Sequence, residues 1–147
     1  MLENQLPPIE KIAEAFSVVV SDRINLDHNC AEVLSSDRKK TYTVRWNDDN
    51  EYTSDDNATH WQGYAGYPII AVLLKKGLIP YDEKTALLFK NVNWSEVNKQ
   101  FKRDYEKALK FVIGTLNFHS QQAEDVYDEL NAVYDKLKNL NIQIKKI

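Results

Sequence analysis

The sequence contains a single cysteine, Cys30, and three histidines among its 147 residues. One cysteine excludes an intramolecular disulfide, and it provides no disulfide framework of the kind that indicates secretion. A zinc site needs three or four ligands from cysteine, histidine or carboxylate, and no CxxC, HxH or HExxH spacing occurs. The sequence therefore predicts no metal site, and it indicates no other cofactor.

Motifs for acyl transfer and for nucleotide binding are absent as well. The chain has only four glycines, and the GxSxG, GxGxxG and P-loop patterns do not occur. Among 22 acidic residues, no carboxylate pair is singled out for acid–base chemistry. We therefore assign no catalytic residue, and the sequence favours a protein that is not an enzyme.

Hydrophobicity and charge place the chain among soluble proteins. The longest apolar run, residues 69–74, is far shorter than the roughly 20 residues that span a bilayer. The first residues lack the basic and apolar regions of a signal peptide, so we expect a cytoplasmic protein without membrane contact. A net charge of −3 does not suit a general nucleic-acid binder. The excess of lysine over arginine is typical of AT-rich bacterial genomes, so we expect a bacterial source.

Hydrophobic periodicity predicts an amphipathic N-terminal helix over residues 8–23, opened by Pro7 and Pro8. Apolar residues recur at helical spacing from Ile9 to Val20, with Ile24 as a further candidate. The polar positions between them, which we expect to face solvent, are Glu10, Lys11, Glu14, Ser17, Ser21 and Asp22.

A polar turn at residues 25–29 then separates this helix from a segment with the two-residue period of strands. Strands are predicted at residues 31–35, 41–46 and 51–53, with turns at residues 37–40 and 47–50. Short connections of this kind favour a small antiparallel meander.

The remainder is predicted to be helical. A helix over residues 69–76 begins near Pro68 and ends at Gly77, and a short helix follows Asp82. A longer helix, capped by Asn93 or Ser95, has an inner face that ends at Leu116. That face consists of Trp94, Val97, Phe101, Ala108, Val112 and Leu116.

The last helix begins near Ser120 and has apolar residues at alternating spacings of three and four. These residues are Ala123, Val126, Leu130, Val133, Leu137 and Leu140. We expect the last two helices to form an antiparallel hairpin, and residues 141–144 to add an edge strand. The whole chain, residues 1–147, is then one α+β domain. A monomer is the simpler state, and a homodimer of paired hairpins is the alternative.

The segment from His60 to Pro68 combines aromatic rings with two glycines and precedes an apolar helix. Aromatic side chains on a loosened segment beside a rigid helix suit a binding surface or a pocket. The candidate binding residues are His60, Trp61, Gln62, Tyr64 and Tyr67. The alternative is that most of these rings fill the space between helix and sheet.

Charged clusters are a weaker signal. Asp48 with Asp49, and Asp55 with Asp56, are interpreted as solvated turn residues, because the pattern of an EF-hand is missing. The basic turn of Arg38, Lys39 and Lys40 resembles a hairpin tip that contacts a phosphate backbone.

Three functions are consistent with these observations. The first is a protein-binding adaptor or inhibitor-type module that binds another protein through the aromatic segment. The second is a small-ligand-binding protein or enzyme with a pocket around His60, Trp61, Tyr64 and Tyr67. The third is a nucleic-acid-associated regulator that uses the turn of Arg38 to Lys40. The absence of catalytic motifs puts the first hypothesis ahead.

Overall fold

A computed structural model of the chain describes residues 1–116 and 120–146, with the backbone alone at residues 120 and 121. After a 3-10 turn at Glu3–Gln5, helix α1 runs over Glu10–Val20. The helix is shorter than predicted at both ends. Lys11 N–H donates to the carbonyl of Pro8 in a 3-10 bond, and Asp22 takes a left-handed conformation with φ of 54° that ends the helix.

Helix α1 is the centre of the α-helical layer. It packs against the sequence-distant helices α2 (Tyr67–Lys75), α3 (Glu83–Leu87), α5 (Tyr105–Thr115) and α6 (Ser120–Lys138). Residues 10–18 of this helix are all buried, the polar ones included. Its residues Ile12, Ala13, Ala15, Phe16 and Val18 have no exposed surface.

The prediction that the polar positions of α1 face solvent is therefore wrong for four of them. Glu10 and Glu14 are each 5% exposed, Lys11 is 8% exposed, and Ser17 is fully buried. Asp22 is exposed as expected, and Ser21 is half-buried. The cause is tertiary: neighbouring helices cover α1 on the side that the periodicity assigned to water.

The strands form one five-stranded sheet in the order β1-β2-β3-β4-β5. Its members are β1 (Ile24–Leu26), β2 (Cys30–Leu34), β3 (Thr41–Trp46), β4 (Glu51–Ser54) and β5 (Gln143–Ile144). The first four are antiparallel neighbours, which confirms the meander, and β5 runs parallel to β4. The edge strand predicted for the C-terminal segment is also confirmed.

One strand was missed. Ile24 belongs to β1 rather than to the first helix, and it pairs with Val33 of β2. The polar turn predicted for residues 25–29 therefore begins only after Leu26. Asn25 is exposed while Ile24 is buried, so only one face of this short strand contacts the core.

The middle helices agree with the sequence prediction. A π-helical turn at Ala58–Gln62 precedes α2, whose first turn contains Pro68. Gly77, with φ of 78°, follows the end of α2, as expected of a residue that must be left-handed. Asp82 caps α3, and its side chain accepts a hydrogen bond from the Thr85 N–H.

The single helix predicted to end its inner face at Leu116 is two helices, α4 (Trp94–Gln100) and α5. Lys102 and Arg103 separate them, with φ of 52° and 66°. Asn93 caps α4, and Asp104 caps α5 by accepting a hydrogen bond from Lys107 N–H at 3.3 Å. The prediction of one helix was wrong because the apolar spacing continues from α4 into α5. Only the N-cap residue Asp104 indicates that a second helix begins there.

Helices α5 and α6 both pack against α1, and α5 also packs against α4. The antiparallel hairpin of α5 and α6 stays a prediction, because their connection lies outside the described residues. The apolar repeat of α6 faces the interior: Leu130, Val133 and Leu137 are fully buried. Asn117, His119 and the side chain of Ser120 lie outside the described residues. The α+β class is confirmed, with an N-terminal helix, a meander, short middle helices and the C-terminal helix in the predicted order. Within residues 1–116 and 120–146, no helix has the length and apolar character needed to cross a membrane.

The α4–α5 junction gives the first prediction. Lys102→Gly should raise the free energy of unfolding by about 1 kcal/mol, because glycine adopts the left-handed conformation without the steric cost that a side chain brings. Lys110→Gly is the matched control: Lys110 is exposed within α5, and its replacement should lower stability by about 1 kcal/mol. Urea unfolding measures both. A loss of stability in both variants would contradict the left-handed junction.

Candidate ligand-binding pocket

An open pocket of about 890 Å³ lies where four parts of the chain meet. Its wall is formed by the polar face of α1, residues beside the sheet, the π-helical turn with the start of α2, and the α4–α5 junction. Ligand pockets commonly have volumes of roughly 300–1,000 Å³, so this one has room for a small organic molecule.

Four of the five predicted binding residues line this pocket: Trp61, Gln62, Tyr64 and Tyr67. Trp61 lies at the mouth and is 71% exposed, whereas Tyr64 and Tyr67 are half-buried in the wall. His60 lies outside the wall, is exposed, and packs its ring edge-on against Trp61 at a centroid distance of 4.4 Å. The structure thus places four of the predicted residues in the pocket wall, and His60 contacts one of them, Trp61, from outside the wall.

A buried carboxylate fixes the segment that carries these rings. The N–H of Thr59 donates to Oδ2 of Asp56 at 3.1 Å, and the hydroxyl of Ser54 donates to Oδ1. The Thr59 hydroxyl in turn accepts from the N–H of Gly66 at 3.1 Å. Any Cβ at Gly66 would overlap the Asp56 carboxylate, so only glycine fits there. The interpretation of Asp56 as a solvated turn residue is wrong, since it is 5% exposed.

The polar face of α1 forms the inner wall. The Lys11 ammonium lies 3.0 Å from Oε2 of Glu14, and Asn98 Nδ2 donates to Oε1 of Glu14 at 2.5 Å. Lys11 also lies over the ring of Tyr105, with Nζ 4.1 Å from the centroid. The Lys11–Glu14 ion pair of α1 therefore contacts α4 through Asn98 and α5 through Tyr105. Each oxygen of the buried Glu14 carboxylate has one of these cationic or amide groups beside it.

Arg23 continues this polar wall beyond the end of α1. Its guanidinium donates from Nη1 to the carbonyl of Leu34 and from Nη2 to Oγ of Ser17, both at 2.8 Å. The Ser17 hydroxyl donates to the carbonyl of Glu14 at 2.6 Å. Arg23 is 6% exposed, and burial lowers the pKa of its guanidinium without removing its charge at neutral pH.

Phenol groups supply neutral donors around these charges. Burial raises the pKa of Tyr64 to about 12 and raises the pKa of Tyr67 and Tyr42 as well. The rings of Tyr42 and Tyr67 meet edge-on at a centroid distance of 6.1 Å. At neutral pH all three hydroxyls keep their protons, so each is able to donate a hydrogen bond to a ligand.

Residues from the start of α4 and from the α4–α5 junction also line the pocket. Trp94 is 3% exposed, stacks on Phe89, and has no hydrogen-bond partner for its indole N–H among the described residues. Arg103 is exposed at the rim, where the left-handed backbone places it. This part of the wall adds an apolar ring, an indole N–H donor and the third cation of the pocket, after Lys11 and Arg23.

Sequence reasoning missed the charged wall. The missed residues are Lys11, Glu14, Ser17, Arg23 and Asp56. A signal was available: polar side chains at positions 11, 14 and 17 share one face of a helix that is otherwise almost entirely apolar. Such a helix is buried, so its few polar residues must meet other polar groups or line a cavity.

The basic turn and the single cysteine lie outside the pocket wall. Arg38, Lys39 and Lys40 are exposed at the tip between β2 and β3, where the Asp37 carboxylate accepts from the Lys39 N–H at 3.0 Å. Cys30 is half-buried at the start of β2. Across the described ranges, no group of three His, Cys, Asp or Glu side chains is placed to hold a metal ion.

Comparison with known proteins gives one family. The model of the family described as Uncharacterised conserved protein UCP014422 matches residues 4–143. That range includes every pocket residue named above. The comparison with curated proteins found no match, and neither did the comparison with solved structures.

The Lys11–Glu14 pair predicts how stability depends on pH. Burial disfavours the charged ammonium, but the Glu14 carboxylate and Tyr105 together raise the pKa of Lys11 from 10.5 to about 12. The folded protein therefore holds this proton more tightly than the unfolded chain. The resulting stabilisation is complete below pH 10.5 and is lost as pH rises towards 12, an effect on the order of 2 kcal/mol.

Lys11→Met should lower the free energy of unfolding by about 3–5 kcal/mol at pH 7, because Glu14 loses its buried counter-ion. Its stability should then fall less steeply than that of the wild type between pH 10 and 12. Lys110→Met, at an exposed position, should keep the wild-type profile. Urea unfolding across this pH range tests the prediction, and identical profiles for Lys11→Met and wild type would contradict it.

Proposed function

Because the chain belongs to this family, whose description names no activity, we propose a function from the pocket: the protein binds a small organic molecule there. The observation that carries the proposal is the burial of charged side chains in a cavity wall. Lys11, Glu14 and Arg23 are each less than 10% exposed, yet all three line the pocket. Burying charges in a wall costs free energy, and interactions with a polar ligand would offset that cost.

The aromatic residues fit the same function. Tyr64 and Tyr67 present ring faces together with hydroxyl groups, and Trp61 stands exposed at the mouth. Aromatic side chains give a large contact area at low entropic cost, and they cover a bound molecule well. Of the three hypotheses from the sequence, we therefore develop the one of a small-ligand-binding protein. His60 is left out of its binding residues because it lies outside the pocket wall.

A screen of metabolite mixtures by ligand-observed NMR tests this function. We expect at least one compound to bind, and we expect Trp61→Ala to weaken its affinity about tenfold by removing a ring at the mouth. Since Trp61 is 71% exposed, the variant should fold normally, which circular dichroism verifies. Leu87→Ala is the matched control, because Leu87 is 53% exposed but lies outside the pocket.

The proposal fails if no compound of a broad panel binds. It also fails if Trp61→Ala and Tyr64→Phe both leave the affinity unchanged, since binding would then take place elsewhere.

A protein partner is the second candidate, and the exposure of Trp61 favours it. Exposed tryptophans often contribute most of the binding free energy at an interface. Wild type, Trp61→Ala and Leu87→Ala serve as bait in a pull-down from lysate of the source cells. A partner retained by wild type and Leu87→Ala but lost with Trp61→Ala would support the adaptor hypothesis. Retention by all three proteins would contradict it.

We further propose that the protein acts as a monomer in the bacterial cytoplasm. The burial of Val126, Leu130, Val133 and Leu137 on α6 supports a monomer, because these residues of the apolar repeat are then not available to a dimer of paired hairpins. The single free cysteine, Cys30, suits a reducing compartment. The exposed turn of Arg38 to Lys40 lies outside the pocket wall and plays no part in this function.

A further inference from the structure

Arg23 is a buried cation without a carboxylate partner in the part of the chain that the structure describes. Its two observed hydrogen bonds go to the neutral carbonyl of Leu34 and to the hydroxyl of Ser17. The ion pairs in the described residues involve lysines alone. A buried guanidinium without a counter-ion is costly, and an anion bound beside it would remove that cost.

The carboxylates in the pocket wall are already engaged. Glu14 is paired with Lys11 and accepts from Asn98. Asp56 accepts from the Thr59 N–H and from the Ser54 hydroxyl, which fixes it in the π-helical turn. Neither carboxylate lies within ion-pair distance of Arg23, so the charge of the guanidinium stays available to a ligand.

The surroundings of Arg23 are suited to an oxygen anion. Tyr42 and Tyr67 line the same pocket as Arg23, and their hydroxyls are neutral donors. A guanidinium presents up to five N–H donors in a planar fork that matches carboxylate and phosphate geometry. The charged side chains of the pocket wall are Lys11, Arg23 and Arg103 against Glu14 and Asp56, which leaves one positive charge in excess.

We propose that the ligand of this pocket is an organic anion whose carboxylate or phosphate group binds Arg23. The inference rests on the function proposed above and names the class of molecule. The volume of about 890 Å³ exceeds what an inorganic ion needs, and the rings of Tyr64 and Trp94 provide an apolar wall for the remainder of the molecule.

Three small aromatic probes test the proposal on the unmodified protein: benzoate, benzamide and phenyl phosphate. Benzoate and benzamide have nearly the same shape, but only benzoate is charged. NMR titration of the amide and arginine side-chain signals should show at least one anion binding tenfold or more tightly than benzamide, with shifts at Arg23. The ratio of benzoate to phenyl phosphate affinity tells which oxyanion the site prefers.

Variants at two arginines separate a specific contact from general charge. Arg23→Gln should weaken the preferred anion at least tenfold and leave benzamide unchanged. Arg45→Gln is the matched control, because Arg45 is exposed on β3 and lies outside the pocket. If Arg23→Gln does not fold, Arg23→Lys keeps the charge without the planar fork, and it should retain only part of the preference for the anion.

The outcomes distinguish this inference from the function on which it rests. Benzamide binding as tightly as both anions, or equal loss in the Arg23 and Arg45 variants, would overturn the anion site while small-molecule binding stands. Absence of binding by all three probes would also overturn it, and the metabolite screen then decides separately whether the pocket binds a neutral compound. Selective anion binding with shifts at Arg23 supports both proposals.

Discussion

The structure depends on one constraint: the central helix α1 carries charged side chains on a face that other helices cover. A buried Lys11–Glu14 pair requires good geometry and additional hydrogen bonds, because desolvation of both ions opposes it. Asn98 of α4 donates a hydrogen bond to Glu14, and the ring of Tyr105 on α5 makes a cation–π contact with the Lys11 ammonium. The elements around this face therefore cannot pack on it with apolar side chains alone, and a polar pocket forms where they meet.

The local conformations around the pocket follow from this requirement. The left-handed residues Lys102 and Arg103 end α4 and let α5 begin in a new direction, so that Asn98 and Tyr105 both reach α1. On the other side, the buried Asp56 carboxylate fixes the π-helical turn, and π-helical turns are frequent at functional sites. Lys102 and Arg103 have an unfavourable backbone conformation, and Asp56 is a buried charge. The surrounding packing must offset both costs.

Much of the fold could be predicted from the sequence because its signals are local. The period of β3, Gly77 after α2 and the spacing of Leu130 and Leu137 all depend on nearby residues. Three aromatic residues of the pocket, Trp61, Tyr64 and Tyr67, were also predictable from the aromatic segment, whereas Tyr42, Trp94 and Tyr105 come from other parts of the chain. The charged wall was not, because the burial of positions 11 and 14 depends on helices far along the chain. The periodicity of α1 alone assigns these side chains to water.

A double-mutant cycle on Lys11 and Glu14 tests the central claim most directly. Lys11→Met, Glu14→Gln and the double variant are unfolded in urea at pH 7, and the coupling free energy follows from their differences. An exposed i,i+3 pair on a helix is worth about 0.3–0.5 kcal/mol. The buried pair should show a coupling of about 1.5 kcal/mol or more. A coupling at or below about 0.5 kcal/mol would mean that this face of α1 is solvated, and the charged wall of the pocket would not exist.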